Sequence, residues 1–169
     1  MHPKNALSQA HDELIKTLEG FTNDDAENGF VTEKWTIKDI VGNLSVHENV
    51  LENIITSQIV PRSGAIYLYQ LISMGEEEFN KYQYDILKTH PYSDILAELN
   101  TTNHHIQSMF SQFTDDMLDQ KGKINWFNKD ASIGDYILQV HCPRKRKYTE
   151  QIAKYKKHLE KLKHEPSKK

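Results

Sequence analysis

The stretch from Thr36 to Val60, TIKDIVGNLSVHENVLENIITSQIV, constrains the fold more than any other part of the chain. Thr36 is followed three residues later by Asp39. This is the pattern of a capping box, in which each side chain accepts from the other residue's backbone N–H at the start of a helix. Trp35 before the cap and Ile40 inside the helix form the matching hydrophobic staple. Ile40, Leu44, His47, Leu51 and Ile54 then recur at helical spacing, so one face of a long helix must be buried. The residue before Pro61 avoids the α region, which predicts an end near Val60.

The rest of the chain repeats the pattern. Leu7, Ala10, His11, Leu14, Leu18 and Phe21 predict a first helix over 5–21, with Gly20 marking its end. The segment TNDDAENGF reads as a polar loop. Residues 61–75 are less regular, and a shorter helix is expected over 76–88 before His90-Pro91 breaks it. Ser93 is the expected cap of a third long helix with Ile95, Leu96, Leu99, Ile106, Met109, Phe110 and Phe113 inward. KGKINWFNKD is a loop anchored by Trp126. The last helix opens at Ser132, again with an acid three residues on (Asp135), and its stripe is Ile137, Val140, His141, Arg144, Tyr148, Ile152, Tyr155, Leu159 and Leu162. Four long amphipathic helices, with a short extra helix between the second and third, predict an all-α helical bundle. The domain is expected to span 1–163, with 164–169 a frayed, disordered tail.

Bulk properties narrow the function classes. With 169 residues the chain suits one core, and with 7 Gly and 5 Pro it does not suit a turn-rich β fold. No apolar run reaches membrane-spanning length and no signal-peptide core is expected at the N-terminus, so no membrane partner is expected. A single cysteine, Cys142, rules out an internal disulfide and fits a reducing, cytoplasmic setting. The net charge of -3 hides an asymmetry: residues 143–169 carry 11 Lys/Arg against 3 Asp/Glu, and residues 1–142 carry 10 against 21. The simpler expectation is that the basic end pairs with the acidic body; the alternative is a basic patch presented to a partner. No aromatic residues alternate with the basic ones, so nucleic acid is not an expected partner.

The run HCPRKRKY, residues 141–148, lies inside the last helix. Pro143 removes a backbone donor and clashes with the carbonyl of Gln139, so a kink is expected there, or else a break with a new helix behind it. Helical spacing turns Lys145, Arg146 and Lys147 outward as a solvated basic edge. It turns Arg144 and Tyr148 inward, beside His141.

WTIKDIVGNLSVHEN resembles the helix 2 segment of the DinB/YfiT-like superfamily, and SIGDYILQVHCPRKRKYTEQI is similar to that superfamily's last helix. The middle of the chain, EEFNKYQYDIL with SDILAELNTTNHHIQSMFSQFTDDML, resembles the DfsB/ClbS-like branch. The resemblance implies an up-down-down-up four-helix bundle, often dimeric, with a metal held by one His of helix 2 and two His, four apart, of helix 4. In this chain those slots fall on Asn43, Arg144 and Tyr148, and no two of the nine histidines are four apart. Asn is a poor ligand for a transition metal, and Arg carries a fixed positive charge. The usual three-His site is therefore not expected.

The expected site is a small-molecule pocket between helices 2 and 4. His47 and His141 are the candidate catalytic bases. Asn43, Arg144 and Tyr148 orient and bind the ligand, and Glu48 joins them or neutralises Arg144. No cofactor is required. One alternative is a relocated divalent metal, Zn or Ni, on His47 and His141 with Glu48 or water. Another is a non-enzymatic homodimeric module. The DfsB/ClbS-like resemblance implies metal-independent hydrolysis or sequestration of reactive small molecules.

Overall fold

The computed structural model describes residues 1–60 and 64–165. It is all-α: among the described residues there is no strand, and one isolated bridge joins Phe30 to Thr36. The helices are α1 (Pro3–Leu18), α2 (Asn23–Asn28), α3 (Ile37–Ile59), α4 (Ile66–Met74), α5 (Glu76–Leu87), α6 (Tyr92–Met109), α7 (Asp115–Asp119), α8 (Ile133–Tyr136) and α9 (Cys142–His164), with a π-helical turn, Ile137–His141, joining the last two. No described helix is long and apolar enough to cross a membrane. Of the expected tail 164–169, residues 166–169 lie outside the described residues, as does Pro61.

Both expected capping boxes form. The Thr36 hydroxyl accepts from the Asp39 N–H and the Asp39 carboxylate from the Thr36 N–H; Ser132 and Asp135 do the same at α8. A third box, Thr22 with Asp25, turns the expected polar loop TNDDAENGF into the short helix α2. The acid three residues after the threonine was the overlooked signal. Residues 66–74 are likewise helical rather than irregular. At α6 the cap is Pro91, not Ser93, whose backbone N–H goes instead to Asn23 Oδ1 at 2.8 Å.

α3 packs most closely on α6 and α1 on α9; α3 also touches α9, and α1 touches α6, so the contacts among these four helices close into a ring. The interior is divided. Leu14, Leu18, Ile37, Ile40, Leu44, Ile95, Leu99 and Ile152 form one apolar cluster. Leu7, Val50, Leu51, Ile54, Ile106, Ile133 and Ile137 belong to another. In sequence, His11, Glu48, Asn103, His141 and Lys145 each fall between a residue of one cluster and a residue of the other, and all five are buried.

Pro143 neither breaks the last helix nor ends it. The π turn ahead of it closes with the Cys142 N–H on the carbonyl of Ile137, five residues back, and the helix runs on. A π turn holds one residue more than an α turn, so every later position is rotated by about one residue, roughly 100°. Lys145 consequently takes the inward position that even helical spacing assigns to Arg144. The expectation of a solvated Lys145 is therefore overturned: only 1% of the residue is exposed. Arg146 is half-buried, and Lys147 is exposed with its ammonium 5.8 Å from the centre of the Tyr148 ring.

Candidate functional site

Two polar regions lie side by side at the α3–α9 contact. The first is closed. Glu48 Oε2 accepts from Lys145 Nζ at 2.8 Å and from His141 Nε2 at 3.0 Å, and Oε1 accepts from Asn103 Nδ2 at 2.9 Å. Lys145 Nζ also lies 3.4 Å from His11 Nδ1, and His11 Nε2 lies 3.0 Å from Asn100 Oδ1. The ammonium is the donor to Nδ1, so the His11 proton sits on Nε2 and goes to Asn100. Burial would push the Glu48 carboxyl up, but Lys145 and His141 together hold it well below the usual carboxylate range. Burial lowers the His141 pKa against the opposing pull of Glu48. One ammonium and one carboxylate already neutralise each other here, so a charge on His141 would be uncompensated. His141 is thus a neutral donor to Glu48.

The second region is open. A cavity of about 300 Å³ lies where α3 meets the α4–α5 junction, the loop around Trp126 and the π turn. Trp126, Phe127 and Tyr136 pack edge to face around one another to make an aromatic wall, and Leu71, Ile72 and Val140 add aliphatic lining. The polar lining is His47, Glu76, Tyr136 and Arg144. Gly75, at φ +83°, separates α4 from α5 and lines the cavity too. A residue with a Cβ would strain that turn, which starts the helix carrying Asn80.

His47 and Glu48 are consecutive on α3 and about 100° apart around it, so they serve different neighbours. His47 Nε2 lies 2.9 Å from Asn80 Oδ1, which also accepts from Asn43 Nδ2 at 3.3 Å. An oxygen receiving two hydrogen bonds assigns the His47 proton to Nε2 and leaves Nδ1 as a bare lone pair. Nδ1 is buried and has no hydrogen-bond partner among the described residues. Burial, then the charge of Arg144, lower the His47 pKa to about 3 against the hydrogen bond to Asn80, which raises it. Arg144 Nη2 donates to Glu76 Oε1 at 2.7 Å, and the guanidinium lies near enough to the Tyr136 hydroxyl to oppose the upward push of burial on its pKa, while no partner meets Nη1, which is buried, with hydrogen-bond geometry among the described residues.

Of the residues expected at the site, His47 and Arg144 line this cavity. Asn43 is behind His47, joined to it through Asn80. Glu48 neither lines the cavity nor neutralises Arg144; it is fully buried in the closed network, and Glu76 takes the Arg144 role. His141 is committed to Glu48, although its Nδ1 is also buried without a partner among the described residues. Tyr148 stacks on Trp35 at 5.6 Å between ring centroids, away from the cavity lining. Sequence reasoning missed Asn80, Glu76, Tyr136 and Lys145. Pro143 was the available signal for Lys145, because a helix that continues through proline must rearrange its hydrogen bonds. No local pattern marked Asn80 or Glu76.

At the slots the resemblance assigns, Asn43 bonds Asn80, Arg144 pairs with Glu76, and Tyr148 faces Trp35. In the relocated set, Glu48 Oε2 serves Lys145 and His141 and His47 Nε2 serves Asn80, while Nδ1 of each histidine has no partner among the described residues. Among the described residues no three His, Cys, Asp or Glu are grouped to hold a metal ion. No family model, curated protein or solved structure matches the chain.

Proposed function

We propose that the protein is a DinB/YfiT-like four-helix bundle of the DfsB/ClbS-like kind, with α1, α3, α6 and α9 in up-down-down-up order, which binds a small organic molecule beside His47 and Arg144. The order of the sequence motifs and the ring of contacts among the four long helices support the bundle reading. One observation carries the binding reading: His47 Nδ1 and Arg144 Nη1, on residues of the same cavity wall, are buried without partners. Leaving a buried donor or acceptor unpaired costs about 1–3 kcal/mol, and a ligand that pairs both recovers that cost.

The chemistry available is recognition and, with the right ligand, proton transfer. Arg144 supplies a charged donor and neutral His47 an acceptor. With a pKa near 3, His47 is a weak base in the free protein. A negative ligand group on Arg144 would relieve one of the charges that depress it. Sequestration therefore needs only the resting site, whereas hydrolysis needs the ligand to activate the base.

The test is a thermal-shift screen of small carboxylates and small neutral electrophiles against the parent chain, Arg144→Gln and His47→Gln. A ligand stabilises by RT ln(1 + [L]/Kd), so a compound at 100 times its Kd adds about 2.7 kcal/mol. The expected result is a set of compounds whose shift shrinks in both variants. No shift from any compound, or shifts indifferent to both substitutions, would overturn the reading.

A further inference from the structure

Taking the cavity as a ligand site, we propose that its ligand is a small, flat hydroxy acid: a monocarboxylate held by Arg144 Nη1, with a hydroxyl that donates to His47 Nδ1. The two unpartnered atoms are opposite in kind. Arg144 Nη1 can only donate, and the bare Nδ1 can only accept. A ligand that satisfies both must bring an acceptor with negative charge and a separate O–H or N–H. An ammonium would satisfy Nδ1 but would sit in the field of Arg144, so a neutral hydroxyl is the better donor.

Glu76 limits the charge. Its carboxylate already holds Arg144 Nη2 at 2.7 Å, so the guanidinium has one edge and part of its positive field left. A single carboxylate suits that remainder, and a doubly charged phosphate would meet Glu76 as a like charge. The aromatic wall of Trp126, Phe127 and Tyr136 fits a flat apolar body. The volume, about 300 Å³, is at the small end for ligand pockets.

Isothermal titration of the full chain tests this with 3-phenyllactate and 4-hydroxyphenylacetate, their deoxy counterparts 3-phenylpropanoate and phenylacetate, and neutral 2-(4-hydroxyphenyl)ethanol. At least one hydroxy acid should bind tenfold or more tightly than both its deoxy counterpart and the neutral alcohol, because a site built to accept a hydroxyl rejects the analogue lacking it. Arg144→Gln should erase the preference for acid over alcohol. His47→Phe should erase the preference for hydroxy over deoxy acid, and His47→Gln, which keeps polar atoms, guards against misreading a folding defect. Val140→Trp, which fills the cavity, separates the two readings. Probes that bind and are blocked by Val140→Trp, yet show no preference for acid or hydroxyl, would overturn the hydroxy-acid assignment and leave the cavity standing. Binding indifferent to Val140→Trp, or no binding by any probe, would overturn the assignment; the former would also remove the cavity reading.

Discussion

Glu48 and His47 are neighbours on one helix, yet the polar regions they anchor are built on opposite terms. Around Glu48 the carboxylate is saturated: an ammonium, an imidazole and an amide close on it, and all of these side chains are buried. Around His47 the pairing stops halfway, with one imidazole nitrogen and one guanidinium nitrogen buried and unmatched beside a cavity. A buried network whose opposite charges are paired, as here with only His141 Nδ1 left over, ties helices together. An unsaturated one beside empty space is tolerated only at a cost, and that cost marks where a ligand belongs. Stability and binding should therefore be separable by mutation, one residue apart.

The largest effect should come from Glu48→Ala. It leaves the Lys145 ammonium buried without a counter-charge, a change worth about 3–5 kcal/mol. Equilibrium denaturation in urea should show the loss. The double variant Glu48→Leu, Lys145→Met removes both charges, and it should recover most of the stability and retain binding in the His47 cavity. If Glu48→Ala cost under about 1 kcal/mol, the network would not be the structural half of the pair.

Acid should expose the two regions together. Burial lowers the pKa of His11, His47 and His141, so below the ordinary imidazole value the unfolded chain takes up protons that the folded chain refuses. Stability then falls as pH drops from about 6.5, by about 1.4 kcal/mol per pH unit for each fully refusing histidine. For His47 that loss continues down to its folded value of about 3. Glu48, held below the usual range, adds a further loss beginning near pH 4.3. Denaturation midpoints measured from pH 7.5 to 4 should hold to about pH 6.5 and fall below it, and His47→Gln should flatten the slope by one histidine's share. An unchanged slope would mean that His47 is already charged in the folded protein.

The four long helices were legible in the sequence because their signals are local. Thr36 with Asp39 and Ser132 with Asp135 name their helix starts by chemistry that acts within four residues. His47 was legible too, since it sits on a stripe of apolar neighbours spaced for α-helix. Lys145 was not. Its inward position depends on one extra residue inserted at Ile137–His141, and an even 3.6-residue count carried across that turn hands the position to Arg144. The partners of the two regions were illegible for a different reason. Asn103, His11 and Asn80 reach Glu48, Lys145 and His47 from other helices, and nothing in their own neighbourhood shows which helix face they meet.

A smaller effect should follow at the turn before α3. A Cβ added to Gly29 would overlap the Tyr155 hydroxyl, so the Tyr155 side chain must move. That oxygen ends a half-buried side chain that can swing aside, so Gly29→Ala should cost no more than about 1 kcal/mol and leave the cavity's ligand preference unchanged. The same denaturation series measures it. A loss as large as that of Glu48→Ala would mean that α9 is held on α2 more firmly than through the buried network.

The smallest effect is the most informative, because its sign is at stake. Arg144 pairs with a Glu76 that is 60% exposed, and such pairs contribute about 0–1 kcal/mol. Against that stands the buried Nη1 with no partner, whose desolvation costs a comparable amount or more. Arg144→Met should therefore leave the free protein within about 0.5 kcal/mol of the parent or make it slightly more stable, while abolishing the stabilisation that a bound acid confers. A residue kept for packing would do the reverse: its loss would lower the stability of the free protein and leave the ligand-induced shift alone. Paired melts with and without 3-phenyllactate distinguish the two, and a drop above about 2 kcal/mol in the free variant would move Arg144 to the structural side of the comparison.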